Sequence, residues 1–311
     1  MAKIAVEIER HIAQRATSVN PAGAPECRSL AQGNGWSADH IVCNSGRYDR
    51  PFQEQHSHFS IAIVLSGTFQ YRASQGCRTG ELMTPGSLLL GNAGQSFECG
   101  HEHGTGDRCL SFHFSPEYFD RIAADAGAGR GQRVFRMLRL PALRDLSPLI
   151  ARACAALTVS AGKPGDLLSR LSWEEFGIQL AACTVLLANG TRAQMQDPQP
   201  SAVARVTRAV RIIEESDESQ PTVQRLALEA GLSPYHFLRT FTQLTGITPH
   251  QYVRRTRLRE AAMRLSTGRA KVLDVALDCG FGDMSNFNRA FRNEFGLSPQ
   301  GFRRQTLQFG T

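Results

Sequence analysis

The rhythm of hydrophobic and polar positions changes along the 311 residues. Up to about Phe119, apolar residues come in short β-branched or aromatic runs closed by Gly and Pro. Phe59-Ser-Ile-Ala-Ile-Val-Leu65 ends at Ser66-Gly67-Thr68 and is followed at once by Phe69 to Arg72, which predicts a hairpin. Thr84-Pro85-Gly86 predicts a turn that feeds Ser87 to Gly91, and Gln95 to Cys99 and Arg108 to Phe114 predict further strands. Many short strands with such turns predict a β-barrel or jelly-roll.

After Pro116 the period becomes helical. Leu146 to Val159 and Leu167 to Ala188 have helix-type apolar spacing, with Leu167, Leu171, Ile178, Ala182, Val185 and Leu186 able to share one face. This pair of helices is expected to cover the β-domain, to dimerise with its copy, or both. Asn189 to Ser201, with Asn-Gly, Asp-Pro and Gln-Pro, reads as a linker. Helices are predicted beyond it at Val203 to Glu215, Pro221 to Ala230, Tyr235 to Leu244, Pro249 to Leu265, Val272 to Cys279 and Met284 to Phe295. The fold class is therefore α+β in two domains. Residues 1–190 form a β-barrel or jelly-roll with helices at about 146–188, residues 191–202 a linker, and residues 203–306 an all-α domain.

The helical third contains a repeat. Val223-Gln-Arg-Leu-Ala-Leu-Glu-Ala-Gly231 aligns with Val272-Leu-Asp-Val-Ala-Leu-Asp-Cys-Gly280, so that Ala227 pairs with Ala276. After a turn one residue longer in the second copy, Phe237 pairs with Phe287, Arg239 with Arg289 and Phe241 with Phe291. A small Ala allows close helix approach, Gly supplies the turn, Ser233 or Asp283 caps the next helix, and Phe at i and i+4 faces the core. These are the parts of a helix-turn-helix unit, present twice. The outward residues are Tyr235, His236, Leu238 and Arg239 on the first reading helix. On the second they are Met284, Ser285, Asn286, Asn288 and Arg289. Arg can bond guanine, Asn adenine, and Leu, Met or Tyr a thymine methyl in a major groove about 12 Å wide. Arg254, Arg255 and Arg257 are expected to contact phosphate or to be surface charge.

Charge strengthens this reading. The net charge is +7, and from Ser201 to Thr311 sixteen Arg or Lys face ten Asp or Glu, an excess of six in a third of the chain. Such a localised excess is the expected footprint of a nucleic-acid-binding domain, the alternative being a solvated basic surface; with the repeated helix-turn-helix unit, double-stranded DNA is the expected partner. No run of eighteen apolar residues suggests a membrane span, and Glu7 and Glu9 interrupt any secretory signal core, so a cytoplasmic location is expected. The eight cysteines lack a disulfide-scaffold rhythm.

From Val203 to Arg304 the chain resembles the AraC/XylS family of bacterial regulators. The resemblance is most specific from Gly280-Phe281 through Gly296-Leu297-Ser298-Pro299, with Phe291 and Phe302, and is echoed by Gly246-Ile247-Thr248-Pro249 and Tyr252. It implies two reading helices on one monomer that enter successive major grooves about 34 Å apart. It also implies a transcription activator that contacts RNA polymerase; a homodimer is expected from the helix pair. The β-rich half is similar to a cupin-type sensor domain: His56-Ser57-His58 followed by Gly67 resembles the first cupin motif, and Pro85-Gly86-Ser87 with Asn92 and His101 loosely resembles the second. The acid expected shortly after the first motif is missing, since Phe59 to Ile63 occupy that stretch.

His56, His58, His101, His103 and His113 are accordingly the candidates for binding a small-molecule effector. Cys99, His101, His103 and Cys109 are donor types that suit zinc, copper or iron, but they are read as the polar rim of a pocket, with no metal or other cofactor assigned. The main reading is a ligand-responsive, sequence-specific transcription regulator without enzyme activity. The alternative is a metal-dependent cupin oxygenase fused to a DNA-binding module. Alkyl-transfer repair would require a reactive Cys99 or Cys109, and no repair motif accompanies either.

Overall fold

Among the described residues, the N-terminal half forms ten strands. They are β1 (Glu26–Gly33), β2 (Trp36–Cys43), β3 (Phe52–Gln55), β4 (Phe59–Gly67), β5 (Phe69–Ala73), β6 (Glu81–Met83), β7 (Leu88–Gly91), β8 (Ser96–Gly100), β9 (Asp107–Phe114) and β10 (Arg139–Leu140). The structure, a computed structural model, describes residues 25–45, 51–73, 80–101, 107–129, 135–159, 167–190, 199–215 and 221–308. One sheet has the order β1-β2-β9-β4-β7-β10 and the other β3-β8-β5-β6. The strand pairings are antiparallel. Val64, Tyr71 and Met83 are fully buried in the core that joins them.

The helices are α1 (Pro116–Asp125), α2 (Ser147–Val159), α3 (Leu167–Gly190), α4 (Pro200–Glu215), α5 (Val223–Glu229), α6 (Pro234–Thr245), α7 (Pro249–Thr267), α8 (Val272–Asp278), α9 (Met284–Phe295) and α10 (Pro299–Gln308). They fall into two compact units. One holds the described residues within Thr17–Pro141 and Lys163–Thr207, the other those within Ala142–Gly162 and Arg208–Thr311.

In the β-rich unit, side chains alternate across the sheet. Phe112 and Phe114 of β9 face α1 and α3: the Phe112 ring lies 5.4 Å from that of Phe176, and Phe114 6.2 Å from Phe119. Gly177 permits this close approach, because a Cβ there would lie 3.1 Å from the Phe112 ring. The buried face of α3 therefore carries Trp173, Phe176, Leu180, Ala181 and Val185. This corrects the face expected from spacing: Val185 is on it, but Ile178 and Leu186 are 39% and 59% exposed. The side chains of Leu167 and Leu171 lie outside the described residues. The aromatic surface of β9 sets the rotation of the helix, and apolar spacing alone did not contain that information. Of the linker expected at 191–202, residues 191–198 lie outside the described residues, and α4 already begins at Pro200.

The first helix of the expected pair, α2, belongs to the helical unit. It packs on α7 and α9 of the helical unit. Ala151 joins the cluster of Leu258, Ala261, Ala262, Phe291 and Phe295. A buried ion pair lies at this contact. Arg255 Nε is 3.2 Å from Glu294 Oε1, with side chains 10% and 2% exposed. Glu294 also accepts from the Ser147 hydroxyl, and Arg255 donates to the carbonyl of Ala142. Arg255 is thus a buried structural cation, contrary to the expected phosphate or surface role, while Arg254 is exposed. Arg257 is half-buried and donates to the Gly280 carbonyl at 3.4 Å.

Two buried imidazoles make the β-rich unit acid-sensitive. Burial holds His40 and His56 down at about 4, well below the usual 6.5. Their unfolded forms bind protons below about pH 6.5 while the folded forms resist until about 4. Stability is therefore lost as pH falls through that window. Trp36 and Trp173 are the only two tryptophans, so fluorescence-detected unfolding reports on this unit. It should lose on the order of a few kcal/mol between pH 6.5 and 4, and His40→Gln should flatten the slope. A separate outcome is expected in the helical unit. Glu294→Ala leaves Arg255 buried without its partner and should cost about 3–5 kcal/mol. Arg254→Ala should cost under about 0.5 kcal/mol. Hydrogen exchange in α7 and α9 reads both.

Candidate nucleic-acid interface and effector cavity

The helical unit builds the same helix-turn-helix device twice. In the first copy, Thr222 caps α5 by accepting from Arg225 N, and Ser233 caps α6 by accepting from His236 N. In the second, Asp283 caps α9 by accepting from both Ser285 N and Asn286 N, which holds its carboxyl below the usual range. The turns match atom for atom. Gly231 N donates to Leu228 O and Leu232 N to Ala227 O, while Gly280 N donates to Leu277 O and Phe281 N to Ala276 O. Gly231 and Gly280 adopt φ of 63° and 77°, a left-handed conformation that costs other residues strain. The longer second turn is absorbed between Phe281 and Asp283.

Paired phenylalanines fix the second helix of each copy. The rings of Phe237 and Phe241 are 5.5 Å apart, as are those of Phe287 and Phe291, and all four are fully buried. Tyr252 closes the first copy 5.7 Å from Phe241, and Phe302 the second 5.5 Å from Phe291. Phe302 lies on α10, a helix that the sequence reading did not extract. With the phenylalanines inward, Tyr235, His236, Leu238 and Arg239 of α6 are exposed, as are Ser285, Asn286, Asn288 and Arg289 of α9. Met284 is half-buried and packs against the core, so only part of it faces outward. A groove of about 530 Å³ runs from Met284, Asn288, Arg289 and Arg292 to Ser298 and Pro299.

The second site is a cavity of about 400 Å³ between the two sheets. The inward faces of β2, β4 and β9 supply Ile41, Cys43, Ala62, Asp107, Cys109, Ser111 and His113, and Phe69, Phe97, Cys99 and His101 close it. Of the five candidate histidines, His56, His101 and His113 line it. His58 is a correction: it is exposed, and its Nδ1 is 2.8 Å from the Ser57 hydroxyl. In a strand these i, i+2 positions would share one side, but residues 56–58 form a bend between β3 and β4, which leaves His56 buried and His58 exposed. His103 lies outside the described residues.

Each lining histidine has its own environment. His56 Nε2 is 2.7 Å from the Tyr71 hydroxyl, and its ring stacks on Phe97 at 4.1 Å. His113 is lowered by burial despite Asp39, whose carboxylate is 3.8 Å away. His101 Nε2 is 2.6 Å from Asp107 Oδ1. Burial opposes its protonation, but Asp107 and then Cys43 hold it up to about 9. Cys109 donates to Asp107 Oδ2 at 3.4 Å. Burial raises Cys43, yet hydrogen bonds with His101 and Ser45 bring it below the usual thiol value. Cys99 and Cys109, the other proposed donors, are buried and raised well above that value, chiefly by burial. The sequence reading missed Cys43 and Asp107. The alternation Trp36-Ala38-His40 was the available signal for β2, which pairs Cys43 with Asp107.

Comparison with known proteins assigns both halves. Residues 40–177 match the family described as "AraC-like ligand binding domain", and residues 226–305 a family described as "Helix-turn-helix domain". Both domains are thus those of the AraC/XylS family, a helix-turn-helix domain of AraC type behind an AraC-like ligand-binding domain. The helix-turn-helix portion is homologous to a particular regulator of that family. It is 30% identical over 112 residues to the HTH-type transcriptional activator RhaS of Escherichia coli O139:H28, covering 36% of this chain and 40% of that protein. It is 34% identical over 100 residues to RhaS of Klebsiella pneumoniae (strain 342), covering 32% and 36% respectively. The chain thus spans less than half the length of these curated relatives. A crystal structure of a transcriptional regulator with an AraC-type DNA-binding domain, from Chromobacterium violaceum, is 27% identical. It covers 35% of this chain and 98% of its own, with a TM-score of 0.33. Among the described residues, no helix is long and apolar enough to cross a membrane.

Glycine in the first turn has a measurable consequence. Gly231 has open space around its missing Cβ, so Gly231→Ala carries only the conformational cost of its positive φ. That cost should be about 1–2 kcal/mol. Gly282 also faces open space but has an ordinary φ, and Gly282→Ala should be neutral or slightly stabilising. Denaturant titration followed by circular dichroism separates the two.

Proposed function

We propose that this chain is a sequence-specific, DNA-binding transcription regulator, an activator of the RhaS kind, controlled by a small molecule in its N-terminal cavity. The observation that carries this reading is the repeated unit with one set of side chains left outward on each reading helix. Arg239, Arg289, Asn286 and Asn288 offer the bidentate chemistry that reads guanine and adenine, and Tyr235 and Leu238 offer apolar contact to thymine methyls. The cavity volume and its mixed lining suit a small polar effector. An effector acts by binding two arrangements of the chain with different affinity.

The partners are double-stranded DNA, RNA polymerase and a second copy of the chain, in the cytoplasm. Ile178 and Leu186, exposed on α3, support a homodimer face. No catalytic role is assigned: the oxygenase reading would need His56 and His58 together, and His56 is bonded to Tyr71 while His58 is exposed.

Arg239→Ala and Arg289→Ala should each weaken binding at the target site by about 1–3 kcal/mol and relax base preference at one position. Binding assays on target and scrambled duplexes at one salt concentration test this. Equal loss on both duplexes would make these arginines phosphate contacts, and wild-type binding with no sequence preference would contradict the reading.

A further inference from the structure

Three segments deliver soft and hard donors to one end of the cavity. Cys43 ends β2, Asp107 begins β9 directly opposite it, and His101 follows β8. One ligand atom from each lies within 4.8 Å of the other two, and all three residues are buried. Among the described residues, no other group of three or more His, Cys, Asp or Glu converges in this way. Cys109 adds a second thiol, with Sγ 3.4 Å from Asp107 Oδ2. We infer that Cys43, His101 and Asp107 bind one divalent, thiophilic metal ion of the zinc type, with the fourth position left to a solvent molecule from the cavity.

The donor set selects the ion class. Thiolate and imidazole favour zinc and its neighbours over calcium or magnesium, and a single carboxylate completes a borderline set. Charge balance points the same way. A thiolate and a carboxylate this close repel one another in a buried site, and a dication with neutral imidazole brings the total to zero. Binding exchanges the ion for the Cys43 thiol proton and any proton on His101, which leave to solvent through the cavity. The set differs from the one that the cupin resemblance implies, because His56 and His58 take no part. The inference goes beyond the DNA-binding reading and does not depend on it.

The test uses the full chain, reduced, stripped with chelator and titrated with zinc alone against a chromophoric competitor. One equivalent should bind, and Cys43→Ser and His101→Gln should each lower affinity by at least about 100-fold, while Cys183→Ser, on α3, leaves it unchanged. Cobalt in place of zinc should give a thiolate-to-cobalt charge-transfer band that Cys43→Ser abolishes. The fluorescence of Trp36 and Trp173 checks that each variant folds. Should a variant unfold, the wild type decides: zinc should protect Cys43 from alkylation, mapped by mass spectrometry. Failure to bind zinc, binding undiminished in both variants, or alkylation of Cys43 unchanged by zinc would each overturn the inference. None of these outcomes bears on DNA affinity, so the two readings fail separately.

Discussion

Paired phenylalanines on the inner face of each short helix are the constraint on which the rest of the helical unit depends. Phe237 with Phe241, and Phe287 with Phe291, fix the rotation of α6 and α9. Once those rings are buried, the residues between them have nowhere to point but outward. The glycine turns and the caps at Ser233 and Asp283 then set where each helix begins. Burial of four rings thus decides which side chains are free for a partner, and it does so identically in both copies.

The β-rich unit obeys a different constraint. Its period of two divides β9 into an aromatic face under α1 and α3 and a polar face around the cavity. Phe112 and Phe114 hold helices, while Asp107, Cys109, Ser111 and His113, one residue out of phase, line the site. A one-residue slip of register would exchange core for cavity. The same strand therefore positions the packing and the chemistry together.

The local parts of the helical unit were legible in the sequence because caps, turns and the i, i+4 spacing are short-range. Strands β4, β5, β7, β8 and β9 were legible for the same reason. What the sequence concealed was long-range. Cys43 meets Asp107 only through strand pairing across 64 positions. Arg255 looked like one more surface arginine until Glu294 and the carbonyl of Ala142 were brought to it from distant segments. The rotation of α3 and the docking of α2 on α7 likewise depend on surfaces supplied by distant segments. Separating the roles of His56 and His58 needed the cavity itself, because neither residue type nor spacing says which side of the sheet a ring occupies.

The central claim is that one chain presents two equivalent reading helices to DNA. Hydroxyl-radical footprinting of the full chain on its target duplex tests this most directly. The account predicts, for each bound protomer, two protected patches on one face of the duplex about one helical turn apart, with both lost on a scrambled duplex of equal length. A single protected patch per protomer, or equal protection on the scrambled duplex, would contradict it.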